Sequence, residues 1–314
     1  MTDGFGRTVD YLRLSVTDLC NYRCRYCMPA EGVRKRGHED VLTVEECVEM
    51  ARAAAACGVT KVRLTGGEPL VRRGILDICR GIAALEGVRE LCLTTNASLL
   101  PQMAEPLREA GVDRLNISLD TLRPDRFRSM TRTGELGQTL AGIAAAEAAG
   151  FTGLKLNTVL IGGFNDDELD DLLALTLDHP WELRFIELMP MGPSAVWDRG
   201  RFLPGTAVLE RFPRLEPIGS QGVARQYRLP GAKGTVGLIS PLSRGFCAQC
   251  RRVRITADGM LKGCLHSREE IPLRGLHGRE LEQAIQRGIL QKPQEHHLAE
   301  RSSDTLRNMN QIGG

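Results

Sequence analysis

Cys20, Cys24 and Cys27 are spaced C-x3-C-x2-C. Thiolate is the preferred protein ligand of iron–sulfur clusters, and three thiolates on one short loop can reach three irons of a cubane. The fourth iron is then open to another ligand. Zinc is the competing chemistry. A structural zinc wants four ligands, usually in paired C-x2-C groups, and no fourth sits near this loop. A second set, Cys247, Cys250 and Cys264, reads C-x2-C-x13-C. Its spacing is ambiguous, because C-x2-C is common in zinc sites and His266 stands two residues beyond Cys264. His296 and His297 have no partner ligands in sequence and are expected on the surface.

The chain has 314 residues and ten cysteines, with 41 Lys+Arg against 39 Asp+Glu. A formal charge of +2 is too near neutral for a broad nucleic-acid or membrane surface. Hydrophobic residues at 42% supply a buried core, and a chain this long is no small secreted disulfide scaffold. Met1–Asp10 is polar and Gly-rich, and no run approaches the length needed to span a bilayer. A cytoplasmic chain with reduced thiols is expected, with neither nucleic acid nor membrane as partner. Cys47, Cys57, Cys79 and Cys92, which fall inside helices or strands, are expected to be small buried residues.

The elements that must position these groups come in alternation. Strands are expected at Tyr11–Asp18, Lys61–Thr65, Glu90–Asn96, Arg114–Asp120, Leu154–Ile161 and Glu182–Met189. Helix-like stretches lie between them: Thr43–Gly58 with a capping box at Thr43 and Glu46, then Gly74–Gly87, Pro101–Gly111, Gly137–Gly150, and Asn165–His179 opened by Asn165 and Glu168. This order means a parallel α/β sheet with right-handed crossovers. Strands covered on both faces by apolar layers read as hydrophobic runs, but these alternate. Leu12, Leu14 and Val16 oppose Arg13, Ser15 and Thr17; Leu91 and Leu93 oppose Cys92, Thr94 and Asn96; Leu115, Ile117 and Leu119 oppose Asn116, Ser118 and Asp120. The helices need the apolar face, so the polar face lines an interior that holds a polar ligand. A half-exposed antiparallel sheet is the alternative, and the intervening helices argue against it. After Met189 the prolines multiply and the pattern loosens. The expected division is therefore 1–190 and 191–314, with a polar, partly mobile tail from Arg301.

Tyr26 before the last cysteine of C-x3-C-x2-C, and Thr65-Gly66-Gly67-Glu68-Pro69 at the end of the second strand, resemble the radical S-adenosylmethionine (SAM) superfamily and its GGEP motif. Two glycines at a strand-end turn allow a close backbone approach, with a carboxylate beside it. The resemblance implies a partial (β/α)6 TIM-like barrel with a C-terminal iron–sulfur region. It also implies a [4Fe–4S] cluster on Cys20, Cys24 and Cys27 whose open iron chelates SAM, and cleavage of SAM to a 5′-deoxyadenosyl radical. Tyr26, Gly67 and Ser118 then belong to the SAM pocket, and Thr94 and Asn96 to the TTN segment. That segment is often followed by glycine where this chain has Ala97.

A narrower resemblance, running end to end, is to the GTP 3′,8-cyclase family of molybdenum cofactor biosynthesis. It rests on Leu12-Arg13-Leu14-Ser15-Val16-Thr17-Asp18, Arg184-Phe185-Ile186-Glu187, Phe246-Cys247-x-x-Cys250 and the closing Gly313-Gly314. It implies a second [4Fe–4S] cluster on Cys247, Cys250 and Cys264 that binds the guanine of GTP. The radical would take the 3′ hydrogen of GTP, and attack on C8 followed by reduction would give 3′,8-cyclo-7,8-dihydro-GTP. Arg13, Arg63, Thr94, Lys155, Arg252, Arg254, Gly313 and Gly314 match GTP contacts, with Arg13, Arg252 and Arg254 as the catalytic set. Met189 joins the ligand contacts beside the cofactor residues. Cations on an inner face suit a triphosphate, because buried charge is costly unless paired. Expected partners are an electron donor, cyclic pyranopterin monophosphate synthase as the next enzyme, and a second copy of the chain in a homodimer. The competing functions are a radical SAM peptide maturase, and an electron carrier or zinc module without catalysis.

Overall fold

A computed structural model of the chain describes residues 1–33, 36–298 and 303–313. Its elements run β1 (Tyr11–Ser15), α1 (Val44–Ala56), β2 (Lys61–Thr65), α2 (Ile75–Ala83), β3 (Glu90–Thr95), α3 (Leu100–Glu109), β4 (Arg114–Ser118), α4 (Pro124–Thr131), α5 (Leu136–Ala148), β5 (Lys155–Leu160), α6 (Leu169–Asp178) and β6 (Glu182–Glu187). They continue as α7 (Thr206–Arg211), β7 (Glu216–Gln221), β8 (Ala224–Arg228), β9 (Thr235–Ile239), β10 (Arg252–Ile255), β11 (Met260–Lys262), β12 (Ile271–Pro272), α8 (Gly278–Leu290) and α9 (Met309–Ile312). One sheet joins all the strands in the order β12-β11-β10-β1-β2-β3-β4-β5-β6-β9-β8-β7. From β10 to β9 the pairs are parallel, and the sheet is not closed. The parallel α/β sheet is the one the order of elements predicts, and its open form is the partial barrel that the resemblance implies. Leu12, Leu14, Val62, Leu64, Leu91, Leu93, Leu115, Ile117 and Leu156 are buried in a single core beneath the helices. Their alternate neighbours face the interior.

The capping box at Thr43 and Glu46 forms as expected. Asn165 and Glu168 do not cap α6. Asn165 donates to the Asp120 and Val159 carbonyls and accepts from Ile161 N, and Glu168 accepts from Thr121 Oγ1, Leu122 N and Arg126. Both are spent on tying strand-end loops together, a long-range use that local spacing cannot distinguish from a cap. Helix α4 was not anticipated: it is short, and five of its eight residues are polar or charged. The region after 190 is more regular than its prolines suggest. Its strands β9 and β10 extend the sheet at opposite edges, beside β6 and β1. The tail is also held. Arg307 donates to both oxygens of Asp258 at 3.0 Å and to Glu270 at 2.7 and 2.6 Å. Among the described residues no helix is long and apolar enough to cross a membrane.

Candidate active site

Strand direction sorts the chemistry into two ends and a middle. β1 leads upward into the loop of Cys20, Cys24 and Cys27, all half-buried. Gly66 and Gly67 lie against the segment entering this loop: Gly67 N donates to Thr17 O and Glu68 N to Leu19 O, each at 2.9 Å. A Cβ on Gly67 would lie 2.6 Å from the Leu19 carbonyl carbon and 2.8 Å from Asp18 O. The close approach expected of the glycines is thus made to the chain's own cysteine-bearing segment. Glu68 is buried, and burial pushes its carboxyl up to about 7 although Asn96 N, Leu70 N and the Thr95 hydroxyl donate to it. Burial also raises the three thiols, Cys20 and Cys27 to about 12 and Cys24 well above its usual range; Glu68 adds to the effect at Cys20, both Cys27 and Cys20 add to it at Cys24, and Cys20 adds to it at Cys27. Such a set stays protonated by itself, and a cationic iron cluster in the protons' place is what makes it anionic.

Beside the loop, a pocket is lined by Tyr22, Cys24, Tyr26, Asn96, Ser118, Asp120, Phe127 and Met130. It unites Tyr26 and Ser118 from the expected cofactor set. Tyr26 Oη donates to Asp120 Oδ2 at 2.9 Å, and burial raises Asp120 to about 6. Asp120 was on the polar face in the alternation but was not singled out; its position at the top of β4 was the available signal. Met130 in this lining also belongs to a small apolar cluster with Ile161 and Leu188, against which Tyr26, Val159, Phe164 and Trp197 pack. Met189 follows at the end of β6, half-buried, its carbonyl accepting from Ser194 Oγ at 2.7 Å. Ala97, just past Asn96, is fully buried at φ +65°, where a side chain is strained. Ala97→Gly should therefore raise stability by about 1 kcal/mol, read as a higher urea midpoint by circular dichroism.

In the middle, the register aligns Arg254, Arg13 and Arg63 across β10, β1 and β2. Arg252 is one row below, beside Tyr11. Burial lowers Arg13 to about 10, with Arg63 and Arg252 adding to the effect and Tyr11 opposing it; burial, Arg13 and Arg252 draw Arg254 well down. Tyr11, absent from the expected set, accepts from Arg63; burial would raise its phenol, but Arg63 and Arg13 overcome that and bring it to about 8. Arg63 Nη1 reaches Thr94 Oγ1 at 3.5 Å. Lys155 stands on the far wall, paired with Glu182 at 2.6 Å and bonded to Gln221. Burial, then Arg184, lowers it to about 8. Asn116 and Asn157, on the same inner faces, hold buried side-chain oxygens with no hydrogen-bond partner among the described residues. The tail enters this middle: the Gly313 carbonyl accepts from Arg13 Nε and Arg254 Nη1, each at 2.9 Å. Gly314 lies outside the described residues.

Below, Cys247 and Cys250 precede β10, and Cys264 follows the antiparallel β11, so all three gather at the lower end. Burial alone would raise Cys250, but Arg252 and Lys292 overcome it and bring the thiol to about 6. Among the described residues no three His, Cys, Asp or Glu side chains converge tightly enough for one metal ion. Three thiols at each end match three irons of a cluster in number and chemistry, whereas a structural zinc wants four ligands. His266 turns its Nδ1 to Ser303 Oγ at 3.0 Å. It stacks edge-on with His296 at 4.9 Å, so His296 is half-buried against expectation; His297 is exposed. Asn310 is a further residue that spacing did not reveal: its Nδ2 donates to Asp18 O at 2.8 Å, tying the tail to the upper loop.

Residues 14–176 match the family model of the radical SAM superfamily, and 181–298 match Molybdenum Cofactor Synthesis C. A GTP 3′,8-cyclase of Alkaliphilus oremlandii is 46% identical, with all of both chains covered. One of Peptoclostridium acidaminophilum is 49% identical over all of this chain and 98% of its own. Among solved structures, Streptococcus suis SuiB bound to S-adenosylmethionine superposes with a TM-score of 0.59. It covers 96% of this chain and 77% of that one at 13% identity, a likeness of fold alone.

Proposed function

This chain belongs to the GTP 3′,8-cyclase family of the radical SAM superfamily, and from that premise we propose how its residues divide the work. The activity is conversion of GTP to 3′,8-cyclo-7,8-dihydro-GTP, the first step of molybdenum cofactor biosynthesis, with SAM and iron–sulfur chemistry as cofactors. Cys20, Cys24 and Cys27 would hold one [4Fe–4S] cluster, and Cys247, Cys250 and Cys264 a second. When bound, these groups supply one-electron cleavage of SAM to the radical that takes the 3′ hydrogen of GTP. The chain's own task is to bind, orient and shield. Tyr26, Gly67, Ser118 and Met189 would line the SAM side. Arg13, Arg63, Thr94, Lys155, Arg252 and Arg254 would grip GTP between the two ends, Arg13, Arg252 and Arg254 next to the reacting groups. The backbone of Gly313 and Gly314 would close over it.

The observation that carries this reading is the file of Arg254, Arg13 and Arg63 in neighbouring strands. Burial and neighbouring guanidiniums draw Arg13 and Arg254 down, while at Arg63 burial is outweighed by Tyr11; a polyanion relieves cations crowded in this way, and a triphosphate supplies three linked anionic groups. We further propose that residues 1–190 serve SAM and 191–314 complete the GTP site, in a cytoplasmic homodimer. A cellular one-electron donor would feed it, and cyclic pyranopterin monophosphate synthase would take the product. The test is anaerobic: load the protein with iron and sulfide, then add SAM, dithionite and GTP. The expected result is deoxyadenosine whose formation requires GTP. SAM cleavage indifferent to GTP would favour peptide maturation, and no SAM cleavage would overturn the radical reading.

A further inference from the structure

Lys292 sits two residues past α8 and is 3% exposed. Its Nζ donates to the Gly263 carbonyl at 2.7 Å and lies 3.5 Å from Cys250 Sγ. It therefore spans two segments of the lower site, touching Cys250 itself and the residue before Cys264. The other buried lysines among the described residues, Lys155 and Lys262, each face a carboxylate, Glu182 and Glu270. Lys292 faces a thiol. A cation after a helix could simply complement the helix dipole. Here, however, the backbone N–H of Lys292 takes that place, donating to Ile289 O at 3.2 Å, while the ammonium turns across to the cysteines. Gly263 has no side chain to block this approach: a Cβ there would lie 3.1 Å from Lys292 Cα.

Removing an ammonium from water is costly unless negative charge compensates it. The compensation at hand is the Cys250 sulfur and the charge that three thiolates bring to a cluster. A cluster that takes up one electron gains one unit of negative charge, and a fixed cation beside a ligand sulfur favours that form. Arg252 is a second cation near the same sulfur, but its guanidinium packs over the Phe246 ring at 5.2 Å, and the residue pairs with Tyr11 one row below the arginine file. We propose that Lys292 is a positioning residue for the second cluster, tying Cys250 to the Cys264 segment and favouring the cluster's reduced state. The proposal rests on the reading of Cys247, Cys250 and Cys264 as ligands of that cluster.

The test uses the full chain with Cys20, Cys24 and Cys27 changed to serine, so that only the lower set can load. The protein is reconstituted anaerobically with iron and sulfide. It is then titrated with dithionite and redox mediators while electron paramagnetic resonance follows the reduced cluster. Lys292→Gln keeps a donor for the Gly263 carbonyl and removes the charge; Lys292→Arg keeps the charge. The glutamine variant should load as much iron as its parent. Its reduced-to-oxidised ratio should fall about tenfold at a given potential, a midpoint lower by about 59 mV for one electron. The arginine variant should recover most of that shift. An unchanged midpoint in a fully loaded Lys292→Gln protein overturns the proposal. Failure of both variants to load overturns it too, because Lys292 is then a packing residue. Loading with arginine but not glutamine supports the role of charge. A parent that loads no iron overturns the cluster reading itself, and the proposal with it.

Discussion

Gly313→Ala should reduce GTP cyclisation by about 10²-fold or more while both clusters still load. Gly313 sits at φ +65°, a conformation that a side chain rarely adopts. A Cβ there would overlap the Thr65 hydroxyl and lie 3.0 Å from Thr65 Cβ and 3.7 Å from Ser15 Cβ. Thr65 is the obstacle and belongs to strand β2 within the sheet, while Ser15 Cβ lies at ordinary contact distance. The tail end must withdraw, and Arg13 and Arg254 then lose the carbonyl that now holds them side by side. The anchors further back, Arg307 on Asp258 and Glu270 and Asn310 on Asp18, are untouched, so the change stays local. The measurements are product formed per minute under anaerobic conditions, iron per chain, and the circular dichroism spectrum. Gly137→Ala is the control, since a Cβ there meets nothing within 4 Å. A Gly313→Ala protein that cyclises GTP at the parent rate would remove the tail from the active site.

Much of this arrangement was legible because alternation in a strand is a strong and local signal. Arg13, Asn116 and Ser118 were each placed on the inner face by their neighbours' hydrophobicity, while Arg63, Arg252 and Arg254 entered through the family resemblance, and the register aligned Arg13 with Arg63 and Arg254. The cysteines and the glycine turn were legible because few other residues could do their chemistry at that spacing. What remained hidden depends on where the chain returns. Lys292 and Asn310 follow no periodic pattern that points inward, and each acquires its meaning from a segment far away in sequence. Glu168 and Asn165 were legible as polar residues at a helix start, but the loops they tie were not. Helix α4 was missed because a short polar helix stabilised by packing has little intrinsic signal. Tyr11 was visible two positions before Arg13. Its hydroxyl gains significance only once two guanidiniums are known to surround it.

Cys24→Ser and Cys250→Ser should separate the two halves of the reaction. Cys24 lies in the loop above β1 and Cys250 below β10, with the arginine file between them. No described hydrogen bond links the two cysteine sets directly, so each should assemble without the other. A serine hydroxyl gives up its proton far less readily than a thiol, and its oxygen is a poorer ligand for iron in a sulfide cluster. At Cys24 the difficulty is greatest, since burial, Cys27 and Asp120 all oppose an anion there. Each variant should therefore bind about half the iron of the parent, one cluster of two. Cys24→Ser should form no deoxyadenosine with or without GTP, because the cluster that serves SAM is gone. Cys250→Ser should keep the upper cluster and its response to SAM, seen as a changed electron paramagnetic resonance signal when SAM is added. It should yield no cyclised product, because the lower end no longer holds GTP in place. Normal GTP turnover in Cys250→Ser would make the lower cluster dispensable. Loss of all iron in either variant would mean that the two sites assemble as one unit, contrary to their separation across the sheet. The geometry requires the intermediate result: one site emptied, the other intact, and the chemistry stopped at a different stage in each protein.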